Sequence, residues 1–277
     1  MTSIKDTVKL HNGVRMPKLG LGVYKAEAGD EVETAVKTAL DTGYRSIDTA
    51  AFYDNEESVG NALRQTSVPR KDIFVTTKVW NDQQGYAETM KAFAESREKL
   101  GLDVIDLYLI HWPVGTLYPE TWRAMEELYE DGHVRAIGVS NFKIHHLKAL
   151  QKASKIKPMV NQVEFHPWLY QEDLLKYCRK EKIQLEAWSP LTRGKKLDHP
   201  VLLDIAKNHG KTPAQVIIRW DLQHDIVTIP KSVTPERICE NAAVYDFELT
   251  KAEMKTLDAL NEDLRFGKDP DEFSREG

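Results

Sequence analysis

The sequence is poor in cysteine: Cys178 and Cys239 are the two in 277 residues, so no disulfide framework is expected. A reducing compartment follows. No apolar run approaches the length of a membrane span. The opening MTSIKDTVKLHNGVRMP lacks the long apolar core and small-residue cleavage pattern of a signal peptide. These absences point to a soluble, cytoplasmic protein. There is no low-complexity segment, linker or composition break, so one domain is expected over residues 1–277. Excess basic charge is also missing: the net charge of −5 argues against a general nucleic-acid binder, although a local basic cluster could hold a small anion. No Gly-x-Ser-x-Gly occurs, which excludes a nucleophile elbow. No complete G-x-G-x-x-G follows an early strand, because Lys25 stands where the third glycine of GLGVYK would be.

What is present is a regular alternation. Hydrophobic residues make up 41% and charged residues 29%, a globular profile. Two short alternating runs flank Asn12-Gly13, a hairpin signal. Eight strand-like runs follow, at 19–24, 45–50, 73–80, 104–112, 134–142, 159–167, 183–190 and 226–232. Helical patterns lie between them; in DEVETAVKTALDTG, Val32, Ala35, Val36 and Leu40 share a face and Gly43 is the stop. Near-continuously apolar strands separated by helices predict a parallel sheet buried on both faces. Eight units in a chain near the usual ~250 residues favour a closed (β/α)8 TIM barrel over an open sheet. The leading hairpin should plug one end. The tail, about 262–277, reads as an irregular segment wrapping the surface with a mobile end.

In such a barrel, chemistry sits at the carboxyl ends of the strands. In order, those ends carry Asp48, Lys78 with Trp80, His111-Trp112, Ser140-Asn141, then Gln162, Glu164 and His166, Trp188-Ser189 and Lys231-Ser232. Each alone has a bland reading as turn, rim charge or packing residue. Together they suggest one mouth. His145 and His146 are adjacent on a helix and expected to diverge, a poor metal pair. Glu164 and His166 share a strand face but lack further partners at ligand spacing, so no metal is expected.

Tyr53, Lys78, Asp48 and His111 suggest acid catalysis by a phenol. Free tyrosine has a pKa of about 10, and a nearby ammonium lowers it. Asp48 would keep Lys78 charged, and His111 would orient a carbonyl. The phenol can then protonate the carbonyl oxygen while a cofactor delivers hydride to carbon. An anion site supports this: in IPKSVTPERICEN, Thr234 is an expected N-cap and Pro235 the first helical position. Lys231, Ser232 and Arg237 surround that helix start, which suits a phosphate.

The whole chain, from the hairpin to about residue 268, resembles the aldo-keto reductase family. GYRSIDTAAFYDNEESVG, LYLIHWP and IPKSVTPERICEN resemble its three signatures. The resemblance implies NADPH, no metal, and reduction of aldehydes or ketones to alcohols. It implies a catalytic set of Asp48, Tyr53, Lys78 and His111, with Tyr53 as general acid. Ser140, Asn141 and Gln162 would hold the nicotinamide amide and Trp188 would stack on its ring. Ser189 and Leu191 would follow the pyrophosphate, with Gly22 and Val23 also on the cofactor. Lys231, Ser232, Val233 and Arg237 would surround the 2′-phosphate; Glu240 and Asn241 would face adenine. Tyr24, Trp80, His111 and Trp112 would wall the substrate pocket.

Some positions depart from the family pattern. Ser46 replaces a common histidine, Trp188 replaces the tyrosine of many animal members, and SPLTRGKKL replaces the more usual Ser-Pro-Leu-Gly. The short connections resemble the prokaryotic and protist branch, which includes 2,5-diketo-gluconate, glyoxal and methylglyoxal reductases and prostaglandin F synthases. They imply an open pocket, small carbonyl substrates and a monomer. The alternative is a non-catalytic NADPH-binding regulatory barrel, against which the intact Tyr53 set argues.

Overall fold

The computed structural model describes residues 3–273. β1 (Thr7–Lys9) and β2 (Arg15–Pro17) form the expected antiparallel hairpin. Its turn is longer than the Asn-Gly dipeptide alone: Leu10 N–H donates to the Val14 carbonyl at 2.8 Å, and Gly13 takes φ 95°. Asn12 Nδ2 reaches the Arg135 carbonyl at 3.0 Å, and Met16 is fully buried. The hairpin is thus seated on the amino-terminal end of the barrel, away from the strand ends that carry the polar set.

Eight parallel strands follow: β3 (Leu21–Gly22), β4 (Ser46–Asp48), β5 (Phe74–Val79), β6 (Ile105–Ile110), β7 (Val134–Ser140), β8 (Val160–Glu164), β9 (Gln184–Trp188) and β10 (Val227–Thr228). They pair in chain order. The two flanking strands are shorter than the sequence suggests, because their contact is a pair of bridges rather than a ladder. Leu19 bridges Thr228 and Gly22 bridges Lys231, and Gly20 N–H donates to the Thr228 carbonyl at 3.0 Å. These contacts close the barrel. Gly22 is required there: a Cβ would lie 2.9 Å from the Ile229 carbonyl oxygen.

Helices α1 (Asp30–Thr42), α2 (Glu56–Gln65), α3 (Tyr86–Leu100), α4 (Tyr118–Glu130), α5 (Ile144–Ala153) and α6 (Glu172–Glu181) cover the outside. The expected stripe of α1 is buried, and Gly43 ends the helix at φ 113°. Two helices were not read from the sequence, α7 (Pro200–His209) and α10 (Lys251–Asp258), which flank α8 (Pro213–Gln223) and α9 (Pro235–Ala242). Their signals were present: Pro200 with Gly210 brackets α7, and Thr250 with Glu253 forms a capping box on α10. At α9, Thr234 occupies the N-cap position but its side chain accepts no capping bond; its own N–H goes to Ser232 Oγ at 3.2 Å. Among the described residues, no helix is long and apolar enough to cross a membrane.

The tail is irregular as expected, but it does more than wrap the surface. Phe266 and Gly267 N–H donate to the two oxygens of buried Glu164 at 2.7 and 3.1 Å. Lys143 Nζ binds Asp269 and Asp271 at 2.5 and 2.6 Å. These anchors carry Phe273 onto Trp112, with ring centroids 4.2 Å apart and planes at 10°. The tail end expected to be mobile, residues 274–277, lies outside the described residues.

Candidate active site

β4 and β5 place Asp48 and Lys78 on the inner face of the barrel, both almost completely buried. Lys78 Nζ donates to Asp48 Oδ1 at 2.6 Å and to the Thr49 carbonyl at 2.9 Å. It lies 3.4 Å from Tyr53 Oη. The short helical turn Ala51–Tyr53 brings the phenol back over the strand end, and Asp54 stops it at φ 53°. Buried Asn55 holds this return in place. Its Oδ1 accepts from Thr49 Oγ1 at 2.7 Å, and its Nδ2 donates to the Val23 and Ala26 carbonyls at 3.0 and 3.2 Å. In the sequence, nothing marks Asn55 apart from its polar neighbours Asp54 and Glu56. Its burial depends on the Val23–Ala26 segment, which is distant in the chain.

The electrostatics are set by burial. Desolvation raises the Asp48 carboxyl and pulls Lys78 down, but Asp48 and Tyr53 outweigh it at Lys78, whose ammonium ends raised. The short contact, with Gln162 Nε2 on the other Asp48 oxygen at 2.7 Å, favours the ionised pair. Tyr53 differs from the sequence expectation. Lys78 does favour the phenolate, but desolvation is larger and pushes the phenol up to about 12. Tyr53 is therefore protonated at neutral pH. Burial, and then Lys78, holds His111 well below the ordinary imidazole value, so its ring is neutral. His111 stands edge-on to Tyr53 at 5.7 Å, and among the described residues its buried Nδ1 has no partner.

Aromatic rings ring this spot. Tyr24 lies 5.0 Å from Tyr53, and Trp80 packs edge-on to His111 at 4.9 Å. Two rings were missed from sequence: Phe52, stacked on Trp80 at 3.8 Å, and Phe273, stacked on Trp112. Phe52 follows the strand end directly, which is a readable signal; Phe273 depends on the path of the tail. A cavity of about 340 Å³ on the far side of Phe52 and Trp80, lined by Asp54, Glu56, Asp82, Glu95 and Lys99, contains none of the four central residues. It is a flank cleft rather than the candidate site.

Across the mouth, Asn141 adopts φ 65°, a left-handed conformation that asparagine tolerates. Its Nδ2 donates to the His111 carbonyl at 2.9 Å and its Oδ1 accepts the Trp188 indole N–H at 2.8 Å. Ser140 Oγ donates to the Gln162 carbonyl at 2.8 Å. Gly267 backs Trp188: a Cβ there would fall 2.5 Å from the indole. The loop after Trp188 takes left-handed conformations at Ser189, Thr192 and Arg193. For the β-branched Thr192 this is a strained backbone. Leu191 and Val233 are half-buried against the core. Lys231 and Arg237 are exposed, while Ser232 and Asn241 are buried. Glu240 is turned toward α8, where it accepts from Thr212 Oγ1 at 2.9 Å.

The two candidate metal pairs have other work. Glu164 and His166 lie 3.3 Å apart, and Glu164 holds the tail. His145 and His146 do not diverge as expected: both Nε2 atoms turn to Asp271 Oδ1, at 3.0 and 3.4 Å. The tail supplies that common acceptor. His146 Nδ1 accepts the Lys143 N–H at 3.2 Å, which puts its proton on Nε2, the atom a metal would need free.

A closed parallel barrel that gathers Asp48, Lys78, Tyr53 and His111 at its carboxyl end fits a barrel oxidoreductase. The family described as "Aldo/keto reductase family" matches residues 18–262, and the chain belongs to it. It is 59% identical to glyoxal reductase of Bacillus subtilis (strain 168), over 98% of this chain and 99% of that protein. It is 49% identical to methylglyoxal reductase DkgA of Escherichia coli (strain K12), over 96% of this chain and 97% of that protein. Among solved structures, a mutant of Gox0644 in complex with NADPH superposes with a TM-score of 0.93 at 43% identity, covering 97% of this chain and 98% of that one.

Proposed function

We propose that this protein reduces small aldehydes and ketones to alcohols with NADPH: methylglyoxal, glyoxal, keto-sugars and aromatic aldehydes. The observation that carries the reading is the contact of Tyr53 with the buried Lys78–Asp48 pair beside a neutral His111, under an aromatic wall. A regulatory barrel that only binds nucleotide has no use for a buried lysine in contact with a phenol.

The residues present fit the cofactor. Trp188 is held at its indole edge by Asn141 Oδ1 and packs closely against Gly267, which fixes the ring for stacking on a nicotinamide. Lys231 bridges Gly22 through its backbone, and the exposed ammonium and the Arg237 guanidinium flank the start of α9. These cations suit the 2′-phosphate. Ser140, Asn141 and Gln162 would hold the amide, Gly22, Val23, Ser189 and Leu191 the pyrophosphate side, and Ser232, Val233, Glu240 and Asn241 the adenosine end. Bound NADPH supplies the hydride for the carbonyl carbon.

The chain's own groups do the rest. Tyr53, protonated at neutral pH, donates its proton to the carbonyl oxygen. Lys78 stabilises the phenolate that forms, and Asp48 keeps Lys78 charged and aimed. Neutral His111 orients the carbonyl by a hydrogen bond. Tyr24, Trp80 and Trp112, with Phe52 and Phe273, exclude water from the reacting atoms. We further propose a cytoplasmic monomer.

The test is NADPH oxidation with a panel of methylglyoxal, glyoxal, a keto-sugar and a nitrobenzaldehyde. Saturable turnover of at least one is expected; no oxidation above the buffer rate with any of them would sink the reading. Cofactor choice has a separate test. Arg237→Ala removes a charge-assisted contact of about 1.5–3 kcal/mol, so NADPH affinity should fall about 10- to 150-fold and NADH affinity hardly at all. Fluorescence titration with both cofactors reads the difference, and equal losses would overturn the 2′-phosphate assignment.

A further inference from the structure

Beneath the Tyr53 group lies a carboxyl that the mechanism above does not use. Glu186 is on β9, two residues before Trp188 and on the same strand face, and it is fully buried. The parallel register sets it directly opposite Gln162 on β8. Gln162 Nε2 donates to Glu186 Oε2 at 2.8 Å and to Asp48 Oδ2 at 2.7 Å. Among the described residues, Glu186 Oε1 has no hydrogen-bond partner. One amide nitrogen therefore joins two carboxyl groups.

That arrangement is asymmetric. The charged groups facing Glu186 are Asp48 from β4 and Lys78 from β5, while its register partners, Gln162 and Val227, are uncharged. The ammonium is committed to the other carboxyl: Lys78 Nζ contacts Asp48, the Thr49 carbonyl and Tyr53. An ionised Glu186 would set a second negative charge across the amide from Asp48 and leave Oε1 charged and unsolvated. A neutral Glu186 avoids both penalties and still accepts from Gln162 through its carbonyl oxygen. In keeping with this, burial, and after it Asp48, pushes the Glu186 carboxyl up to about 8.

We propose that Glu186 is a positioning residue for the Tyr53 acid: its neutral carboxyl holds Gln162 and, through Gln162, fixes the Asp48–Lys78 pair beneath the phenol. The inference rests on the reading of Tyr53 as the proton donor. When Glu186 ionises, the added negative charge makes the phenol harder to deprotonate and draws Gln162 between two anions. Carbonyl reduction should then slow as pH rises through the Glu186 titration, well before Tyr53 itself titrates.

Glu186→Gln separates this role from simple packing, because the amide keeps an acceptor for Gln162 but cannot ionise. Its kcat near pH 6.5 should stay within about threefold of wild type, and the wild-type decline near pH 8 should be absent. An infrared difference spectrum, wild type minus variant, should contain a protonated carboxyl band that titrates away near pH 8. Stability supplies a further readout. A carboxyl raised in the folded state favours folding below its ordinary value, and that advantage is lost as pH rises toward 8. Glu186→Gln should therefore raise Tm at about pH 8–9 and change it little near pH 4.5.

Identical kcat–pH profiles for the two proteins would overturn the proposal. If the variant does not fold, the infrared titration of wild type labelled with carbon-13 glutamate still decides, and no glutamate band titrating near pH 8 overturns it. Should Tyr53→Phe retain full turnover, the Tyr53 reading itself fails; an unchanged Glu186→Gln profile beside an inactive Tyr53→Phe overturns only the inference about Glu186.

Discussion

Tyr53→Phe is expected to lower kcat for carbonyl reduction by about 100- to 10,000-fold while leaving the fold and NADPH affinity nearly intact. The substitution deletes one oxygen. Among the described residues that oxygen has a single weak polar contact, 3.4 Å from Lys78 Nζ. Lys78 keeps its contacts with Asp48 and the Thr49 carbonyl, so no buried charge loses its partner. Stability should change by no more than about 1 kcal/mol. The ring also keeps its packing against Tyr24 and His111. The measurement is kcat and cofactor Kd side by side, with thermal unfolding as control. A variant that turns over at the wild-type rate would remove Tyr53 from the chemistry.

Lys78→Met should damage both activity and stability, for different reasons. Loss of the ammonium removes the charge that stabilises the phenolate, so kcat should fall by at least about 100-fold. It also leaves Asp48 buried without its cation. Breaking a buried pair from one side costs about 3–5 kcal/mol, which corresponds to a Tm lower by roughly 5–9 °C in a chain of this size. The deficit should depend on pH. Without Lys78, Asp48 takes up a proton in the folded state, and the variant is penalised as pH rises above the ordinary carboxyl value of about 3.9. The Tm gap to wild type should thus widen between about pH 4 and pH 8. Adding Asp48→Asn supplies a neutral acceptor for Gln162 and should recover most of the stability with none of the activity. A double variant as unstable as Lys78→Met alone would contradict the buried-pair account.

These results would also show where sequence reasoning was sufficient. Asp48, Lys78 and His111 were legible because each stands at the end of an apolar strand, where barrel geometry sends side chains to one mouth. Tyr53 was legible as the ring just beyond Asp48. The direction of its acidity was not, since Lys78 was visible as a neighbour but the depth of burial was not. Phe273 was hidden because its place depends on Glu164 and Lys143 catching the tail. The convergence of His145 and His146 has the same origin, in Asp271.

By itself, the sequence determined the alternation of strands and helices, the barrel, and the strand ends that carry the polar set. Periodicity and strand-end position are local properties, and one chain displays them directly. The tertiary structure alone decided how those groups share protons and partners: Asn55 pinning the Tyr53 turn, burial keeping the phenol protonated, and Gln162 joining Asp48 to Glu186. Each of these depends on distances between segments far apart in the chain and on the exclusion of water, and both arise only when the barrel closes.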